Sequence, residues 1–556
     1  MTENRTPSAV DAVAEDHVDG SLALSPSLAL YLGLDGASGF DDFSPAGLAA
    51  KHDLTLDTLR KLAEAERGAD LDDVDLVTLD AMRERLTVEK ERYEAGHDHA
   101  SLNVIASPLQ DIRDAFDLLP TATTEDWETV ETTMAAVPDS VSGYQESLRL
   151  ATSRGQVAAR IQIEKVVDQA VALSEPGSSF DALVARAEAV PDSLFTALRT
   201  DAEAVRGSFR ELAEFLRTEL LPVAPENEAC GREAYALHSR DFLGASVDLD
   251  ETYAWGLEEL ARIDAEQREV ASRIDPDADL FAVMDQLNRD PQRTLHGTDA
   301  LRDWMQQVAD DAITELGRTH FDIPEPVRTI ECMIAPSATG GIYYTGPTDD
   351  FSRPGRMWWS VPEGVTEFAT WQEKTTVYHE GVPGHHLQVG QATYVSDTLN
   401  RWRRLMCWVS GHGEGWALYA ERLMADLGFL EDPADRLGML DSQRLRAARV
   451  VLDIGFHLGL EAPASLGGGT WNRGKAWQFL TDNVAMDRSF LAFELDRYLG
   501  WPGQAPSYKI GQRLWEQFRD EAKVAQGADF DLKAFHTKAL NLGSVGLDTL
   551  GRALRR

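Results

Sequence analysis

The chain has few cysteines and no long apolar run. Its three cysteines, Cys230, Cys332 and Cys407, are odd in number and far apart in the sequence. This pattern excludes a disulfide framework and a cysteine-rich zinc site, and it fits a reducing compartment. No stretch approaches the roughly 20 apolar residues of a membrane span. The polar first residues lack the apolar segment of a secretory signal. We therefore expect a cytoplasmic protein without a membrane partner.

Basic residues are also scarce relative to acidic ones. The 556 residues include 53 lysines and arginines against 93 aspartates and glutamates, which gives a formal net charge of −40. A field of this sign repels phosphate backbones, so a nucleic-acid partner is not expected. Hydrophobic residues make up 43% of the chain, which is ordinary for a globular protein and sufficient for a large core.

The order of apolar and polar residues predicts a mainly α protein. Helical periodicity runs from about residue 44 to the end of the chain. It is interrupted once, at about 325–362, where aromatic pairs between Gly and Pro turns predict a small antiparallel sheet or hairpin. We expect a flexible tail over 1–20 and a single helical domain over 21–556. The candidate functional motifs lie in the second half of this domain, at about 320–556.

A cluster of potential metal ligands lies directly after the predicted sheet, at 376–388. His379, Glu380, His385 and His386 occur there within eight positions. Neutral imidazole is the commonest metal ligand, and a glutamate after the first histidine is the general base of helical zinc peptidases. In a regular helix, however, His385 and His386 would lie ~9 and ~10.5 Å along the axis from His379. These separations are too large for ligands of one metal ion.

The residues between the histidines argue against a regular helix. Gly381, Pro383 and Gly384 stand there; proline removes a backbone donor, and glycine permits unusual dihedral angles. We therefore expect a bulge or kink that returns either His385 or His386 to the side of His379. The alternative is a kinked core helix whose histidines only satisfy hydrogen bonds.

A catalytic zinc ion needs a third protein ligand and an open position. The best candidate is Glu414, just inside a helix that is expected to start after Gly413. Glu421 lies seven residues further on the same face and is expected to support a ligand or the structure. His412 is a rival ligand.

Other residues are candidates for binding the substrate. Tyr508, near the start of a helix, is the first choice as hydrogen-bond donor to an oxyanion. Further candidates for this role are Tyr498, Lys509 and His457. Candidates for binding a substrate carboxylate are Arg353, Arg446 and Arg449. For the last two, a structural pairing with Asp453 or Glu421 is favoured.

Several segments together resemble the bacterial "domain of unknown function 885" family. They are 378–388, 414–421, 446–457, 497–504 and 507–511, with a weaker match at 352–355. The resemblance implies an all-helical zincin-like fold, similar to that of Taq-type metallocarboxypeptidases. It also implies a zinc ion held by His379, His385 and Glu414, with His386 as the alternative to His385.

The sequence thus predicts a zinc-dependent metallopeptidase, either a carboxypeptidase or an oligopeptidase, with Glu380 as general base. One alternative is a metal-dependent hydrolase of small amides or esters. The other is a non-catalytic helical scaffold with a vestigial site. The sequence does not decide between zinc, manganese and cobalt. It also leaves the substrate and the oligomeric state open.

Overall fold

A computed structural model describes residues 5–34, 38–68, 70–187, 189–335 and 341–556. It confirms a mainly α fold. The helices of the first part are α1 (Ala9–Leu24), α2 (Pro26–Tyr31), α3 (Pro45–Gly68), α4 (Asp73–Glu94), α5 (Pro108–Leu118), α6 (Thr124–Ser153), α7 (Arg160–Ser174), α8 (Ser179–Ala185), α9 (Asp192–Phe215), α10 (Arg232–Leu243), α11 (Leu249–Ile274), α12 (Leu280–Leu287) and α13 (Thr298–Thr319). Those of the second part are α14 (Thr370–Glu380), α15 (His385–Tyr394), α16 (Ser410–Asp426), α17 (Pro433–His457), α18 (Arg473–Asn483), α19 (Arg488–Gly500), α20 (Ser507–Gln526), α21 (Leu532–Leu540) and α22 (Leu547–Arg555).

The first helix contradicts the expected flexible tail over residues 9–20. Ser8 and Asp11 cap α1 reciprocally, each side chain accepting a backbone N–H of the other residue. Val10, Ala14 and Val18 recur at helical spacing and are fully buried. The segment was predicted as a tail because it is polar overall. Its apolar residues form only a narrow face, which packs against α3 and α4.

The strands of the larger sheet lie where the sequence changes its texture, but their pairing is mixed. The strands in chain order are β1 (Thr294–His296), β2 (Ile330–Ile334), β3 (Ile342–Thr345), β4 (Gly355–Trp359) and β5 (Glu367–Ala369). The order of the larger sheet is β2-β4-β3. The β3–β4 pair is antiparallel as predicted, whereas β2–β4 is parallel. The antiparallel β1–β5 pair was not predicted. Residues 336–340 of the predicted insert lie outside the described residues.

Two apolar clusters form the interior. The smaller one gathers side chains between Phe40 and Leu220, largely from α5 to α9. The larger one includes side chains of α14, α16, α17 and α20 and continues into the sheet. Among the described helices, none combines the length and apolarity that a membrane crossing requires.

Glycines set the distance between the two helices that flank the later site. A Cβ atom at Gly511 of α20 would lie 2.1 Å from the carbonyl oxygen of Gly411 in α16. A Cβ atom at Gly415 would lie 2.5 Å from the carbonyl carbon of Gly511. Only glycine permits this approach, which brings the start of α20 beside α16.

Candidate metal centre

The histidine-rich segment is a broken helix. Helix α14 ends at Glu380, and α15 begins at His385. The turn between them is closed by bonds from Gly384 N to Tyr378 O (3.1 Å) and from His386 N to Gly381 O (3.1 Å). A Cβ atom at Gly384 would lie 1.8 Å from the carbonyl oxygen of His379, so no larger residue fits there. The expected irregularity is therefore a full interruption rather than a bulge.

This turn directs the side chain of His385 toward that of His379. Their rings are nearly perpendicular, with centroids 4.9 Å apart. Glu414 reaches both rings, since its Oε2 lies 3.3 Å from His379 Nε2 and 3.5 Å from His385 Nε2. Among the described residues, ligand atoms of these three side chains lie within 4.8 Å of one another. Helix α16 starts at Ser410 rather than after Gly413, which places Glu414 in its second turn.

Glu421 supports the cluster from the same face of α16, two turns after Glu414. Its Oε1 lies 2.7 Å from His379 Nδ1. Its other oxygen accepts bonds from Thr375 Oγ1 (3.0 Å) and Ser442 Oγ (3.2 Å). Glu421 is 1% exposed, and these bonds satisfy a carboxylate that would otherwise be costly to bury. The arrangement fixes the His379 ring with Nε2 directed at Glu414.

The charges within the cluster are strongly coupled. Burial would lower the pKa of His379, but Glu414 and Glu421 outweigh burial and raise this pKa to about 10. Burial would raise the pKa of Glu414, but hydrogen bonds from His379 and His385 hold it well below its usual value. A metal ion that binds these side chains would therefore compete with a proton for them.

The two rival ligands from the sequence, His386 and His412, lie outside the cluster. His386 is turned away, because its Nδ1 lies 2.9 Å from Tyr344 Oη and its Nε2 donates to the Val327 carbonyl (2.8 Å). His412 is fully buried against Trp515, with ring centroids 5.2 Å apart. Burial lowers the pKa of both histidines to about 4. Both are neutral core histidines, which the sequence spacing alone did not separate from ligands.

The cluster opens into a cleft of about 1240 Å³. Glu380 and Tyr508 line it together with His379, His385 and Glu414. Glu380 is 7% exposed, and burial raises its pKa. Burial, followed by the charge of Glu414, raises the pKa of Tyr508 to about 12, so its phenol keeps its proton near neutral pH. These two residues, predicted as base and donor, thus face the same space as the ligands.

The other predicted donors lie outside the cleft lining. Tyr498 donates to Glu494 and accepts from Arg449 Nε (2.7 Å). His457 Nε2 donates to the Tyr498 carbonyl (3.1 Å). Lys509 is buried against Glu259 (2.9 Å). Each of these side chains is engaged in a structural contact, so the structure does not support them as oxyanion donors.

The predicted arginines divide into three cases. Arg353 holds its own turn by donating to the Gly346 and Pro354 carbonyls (2.8 and 3.1 Å). Arg449 lines the cleft but pairs with Glu494 (3.0 Å), and its guanidinium lies 5.2 Å from the centre of the Tyr508 ring. Arg446 also lines the cleft, without the expected pairing to Asp453 or Glu421.

Sequence reasoning missed three further residues of the cleft wall. Trp408 is 51% exposed and its ring lies 6.1 Å from that of His385. Glu373 and Asp441 also line the cleft, and burial raises their pKa values to about 7 and about 6. Glu373 stands seven residues before Glu380, and this spacing on one helical face is the signal that identifies it.

Fold and site together define a mainly α protein with a His-His-Glu cluster at the base of an open cleft. The profile of the family described as bacterial protein of unknown function (DUF885) matches residues 26–554. The chain belongs to this family, which confirms the resemblance seen in its motifs.

Two solved structures share the fold over nearly the whole chain. One is a protein of Colwellia psychrerythraea described as a putative lipoprotein, with 21% identity, a TM-score of 0.81 and 98% of each chain covered. The other is a protein of Shewanella oneidensis described as a putative lipoprotein of unknown function. It has 18% identity and a TM-score of 0.75, with 98% of this chain and 100% of that chain covered. Such identities establish similarity of fold alone. No curated protein matches the chain.

Proposed function

We propose that this protein is a metal-dependent hydrolase of peptide bonds. The observation that carries the proposal is the convergence of His379 Nε2, His385 Nε2 and Glu414 Oε2 in a cleft that Glu380 also lines. The zincin-like character implied by the sequence resemblance belongs to the same proposal.

The residues fit a divalent metal ion. Ligand atoms around a tetrahedral ion with bonds of about 2.0–2.1 Å are separated by roughly 3.3–3.4 Å. The distances from Glu414 Oε2 to the two histidines, 3.3 and 3.5 Å, match these edges. Glu421 on the far nitrogen of His379 provides the carboxylate–histidine support typical of zinc sites. Two imidazoles and one carboxylate suit zinc, with manganese and cobalt as alternatives.

A metal ion held there would supply Lewis-acid polarisation of the scissile carbonyl and acidification of a water molecule. The chain's own residues handle the protons. Glu380 accepts a proton from the attacking water and delivers it to the leaving amine. The water oxygen joins the acyl carbon as the C–N bond breaks, so the products are a carboxylic acid and an amine.

Tyr508 is positioned to stabilise charge that develops on the carbonyl oxygen. Its phenol keeps its proton near neutral pH because burial raises its pKa to about 12. It faces the cleft at the first turn of α20. A hydrogen bond from such a donor acts mainly in the transition state, where the negative charge is largest.

An edge strand favours a peptide over a small amide. Among the described residues, strand β3 pairs only with β4, and its residues Ile342, Tyr343 and Tyr344 line the cleft. An extended peptide can add to such an edge through main-chain hydrogen bonds. The exposed Trp408, which also lines the cleft, provides additional contact surface.

The test is cleavage of a peptide library by zinc-loaded protein, followed by mass spectrometry. We expect cleavage by the wild type and a loss of at least about 100-fold in Glu380→Gln, with zinc retained. Glu128→Gln, which changes an exposed glutamate of α6 outside the cleft lining, is the control and keeps wild-type activity. Absence of cleavage by fully zinc-loaded wild type, or wild-type turnover by Glu380→Gln, contradicts the proposal.

A further inference from the structure

Trp408 is a half-exposed aromatic residue between two buried neighbours. Cys407 and Val409 belong to the buried interior, whereas the side chain of Trp408 lines the cleft. Val409 has an extended backbone, and along an extended chain successive side chains point to opposite sides. Two bonds hold this backbone, from Trp408 N to Met406 O (2.8 Å) and from Val409 N to Ser544 Oγ (3.2 Å). The chain therefore directs the indole into the cleft at a fixed place.

The indole packs against the helix that carries Glu414. A Cβ atom added at Gly413 would lie 2.4 Å from Cη2 and 2.6 Å from Cζ2 of Trp408, so the six-membered ring rests directly on the backbone there. Gly413 immediately precedes Glu414 in α16. The Trp408 ring also lies 6.1 Å from the ring of His385, centroid to centroid. Trp408 is therefore close to two of the three members of the ligand cluster.

Other large apolar side chains are exposed in the same cleft. Single apolar residues scattered over a protein surface are ordinary, but a group that lines one cleft marks a binding site. The exposed large apolar residues of this cleft are Tyr343, Val365, Trp408, Met486 and Phe490. Ligand pockets typically combine such a surface with a few fixed polar groups. In this cleft the ligand cluster and Glu380 supply the polar groups.

The distance from Trp408 to the cluster indicates which part of a substrate it meets. In the proposed reaction the scissile carbonyl is bound at the ligand cluster. An extended peptide advances about 3.3 Å per residue. The 6.1 Å between the rings of Trp408 and His385 is less than two such steps. The indole therefore faces one of the two residues that the scissile bond joins.

We infer that Trp408 determines specificity by binding a large apolar side chain, aromatic or branched aliphatic, on one of these two residues. The inference rests on the proposed peptidase function and adds the class of substrate. An aromatic wall buries much apolar surface against such a side chain, and a second ring gains further from an offset or edge-to-face contact. Glycine leaves the indole in water and gains nothing from it.

The kinetic test compares zinc-loaded wild type, Trp408→Ala and Trp408→Phe. The substrates derive from the best peptide of the library, with Phe, Leu, Arg or Gly placed in turn on each side of the scissile bond. For the wild type we expect kcat/KM to be about 10- to 100-fold higher with Phe or Leu than with Gly at one of the two positions. Trp408→Ala should reduce this ratio about 10-fold or more, and Trp408→Phe should keep part of it.

A matched control removes an exposed aromatic side chain elsewhere. Phe281 lies on α12, is exposed and does not line the cleft. Phe281→Ala should therefore keep the wild-type ratio between Phe and Gly substrates. Melting temperatures and zinc contents of all variants are compared first, so that a change in the ratio is not confused with a loss of folding or of metal.

A binding test separates this inference from peptide cleavage. Acetohydroxamate and phenylacetohydroxamate share a metal-binding group and differ by a phenyl ring. Both are titrated by calorimetry into zinc-loaded wild type and Trp408→Ala. We expect the wild type to bind the phenyl compound about 10-fold tighter or more, and we expect Trp408→Ala to lose this advantage. This readout requires no turnover.

Several outcomes overturn the inference while leaving the proposed peptidase function intact. They are equal kcat/KM for the Phe, Leu and Gly peptides in the wild type, a preference for Phe or Leu that is unchanged in Trp408→Ala, and equal binding of the two hydroxamates by the wild type. A preference for Arg that Trp408→Ala abolishes also overturns it, because the indole then binds a cation through its face.

Failure of the proposed function has a different signature. If zinc-loaded wild type cleaves no peptide, the peptidase proposal is contradicted, and the two hydroxamates still decide whether Trp408 forms an apolar wall beside the metal. If neither hydroxamate binds, the metal site and this inference are both contradicted.

Discussion

The substitution Gly384→Ala tests the turn on which the whole site depends. The added Cβ would lie 1.8 Å from the carbonyl oxygen of His379, whereas such contacts are essentially never shorter than 3.0 Å. The obstacle is backbone, so α14 and α15 must separate by about 1.2 Å at this point. Metal–ligand distances tolerate deviations of only about 0.2 Å. The alanine therefore moves His385 out of range of a metal ion shared with His379.

We expect Gly384→Ala to lose stability by about 1–3 kcal/mol, as for other overpacked sites. Peptide cleavage should fall about 100-fold, the typical effect of a 1 Å misplacement. The assays are thermal melting, zinc content after dialysis, and peptide turnover. Gly207→Ala in the interior of α9 is the control, because nothing lies within 4 Å of its added Cβ. We expect that variant to gain about 0.5–1 kcal/mol. A folded Gly384→Ala protein with wild-type zinc binding refutes the role assigned to the turn.

Three further substitutions test separate parts of the account. Glu421→Gln weakens the support of His379, and we expect zinc affinity, measured by chelator competition, to fall about 10- to 100-fold; unchanged affinity contradicts this support. Tyr508→Phe should lower kcat about 100-fold and leave zinc content unchanged; equal kcat removes Tyr508 from the mechanism. Asp453 is fully buried beneath Tyr235, and burial raises its pKa from 3.8 to about 7. The folded protein therefore holds this proton more tightly than the unfolded chain, so stability falls as pH rises from about 4 through 7. We expect Asp453→Asn to remove about 2 kcal/mol of the stability loss between pH 5 and pH 8, measured by urea unfolding; an unaltered pH dependence contradicts the assignment.

The parts of the site that depend on local spacing could be predicted from the sequence. Glu414 and Glu421 lie seven residues apart, and two helical turns place them on one face whatever surrounds them. The residues Gly381, Pro383 and Gly384 similarly predict an interruption, because a regular helix cannot accommodate them. The mainly α fold followed from periodicity over long segments.

The parts that depend on distant contacts could not be predicted. Tyr344 and Val327 bond the His386 ring from the sheet and the segment before it, whereas His385 lies beside His379 and Glu414. The spacing of the residues around Gly384 does not indicate either of these two contacts. Tyr508 lines the cleft, whereas Tyr498 accepts a bond from Arg449 of α17, a contact between helices that the spacing within one motif does not indicate.

The ordered N-terminal helix was missed for the same reason. Its stability comes from contacts with residues far along the chain. Arg5 bonds Asp72 and Asp11, and Asn400 donates to Asp11 (3.0 Å). Local composition therefore indicated a tail, whereas long-range packing makes α1 part of the larger core.

The most direct test of the central claim is the metal content of protein purified without a chelator or a metal-affinity column. The account predicts one zinc ion per chain, or its recovery on reconstitution, and its loss in His379→Ala and His385→Ala. His386→Ala should retain the metal, because that ring faces Tyr344 and Val327. Substoichiometric zinc that reconstitution does not restore, or full zinc binding by His385→Ala, contradicts the metal centre.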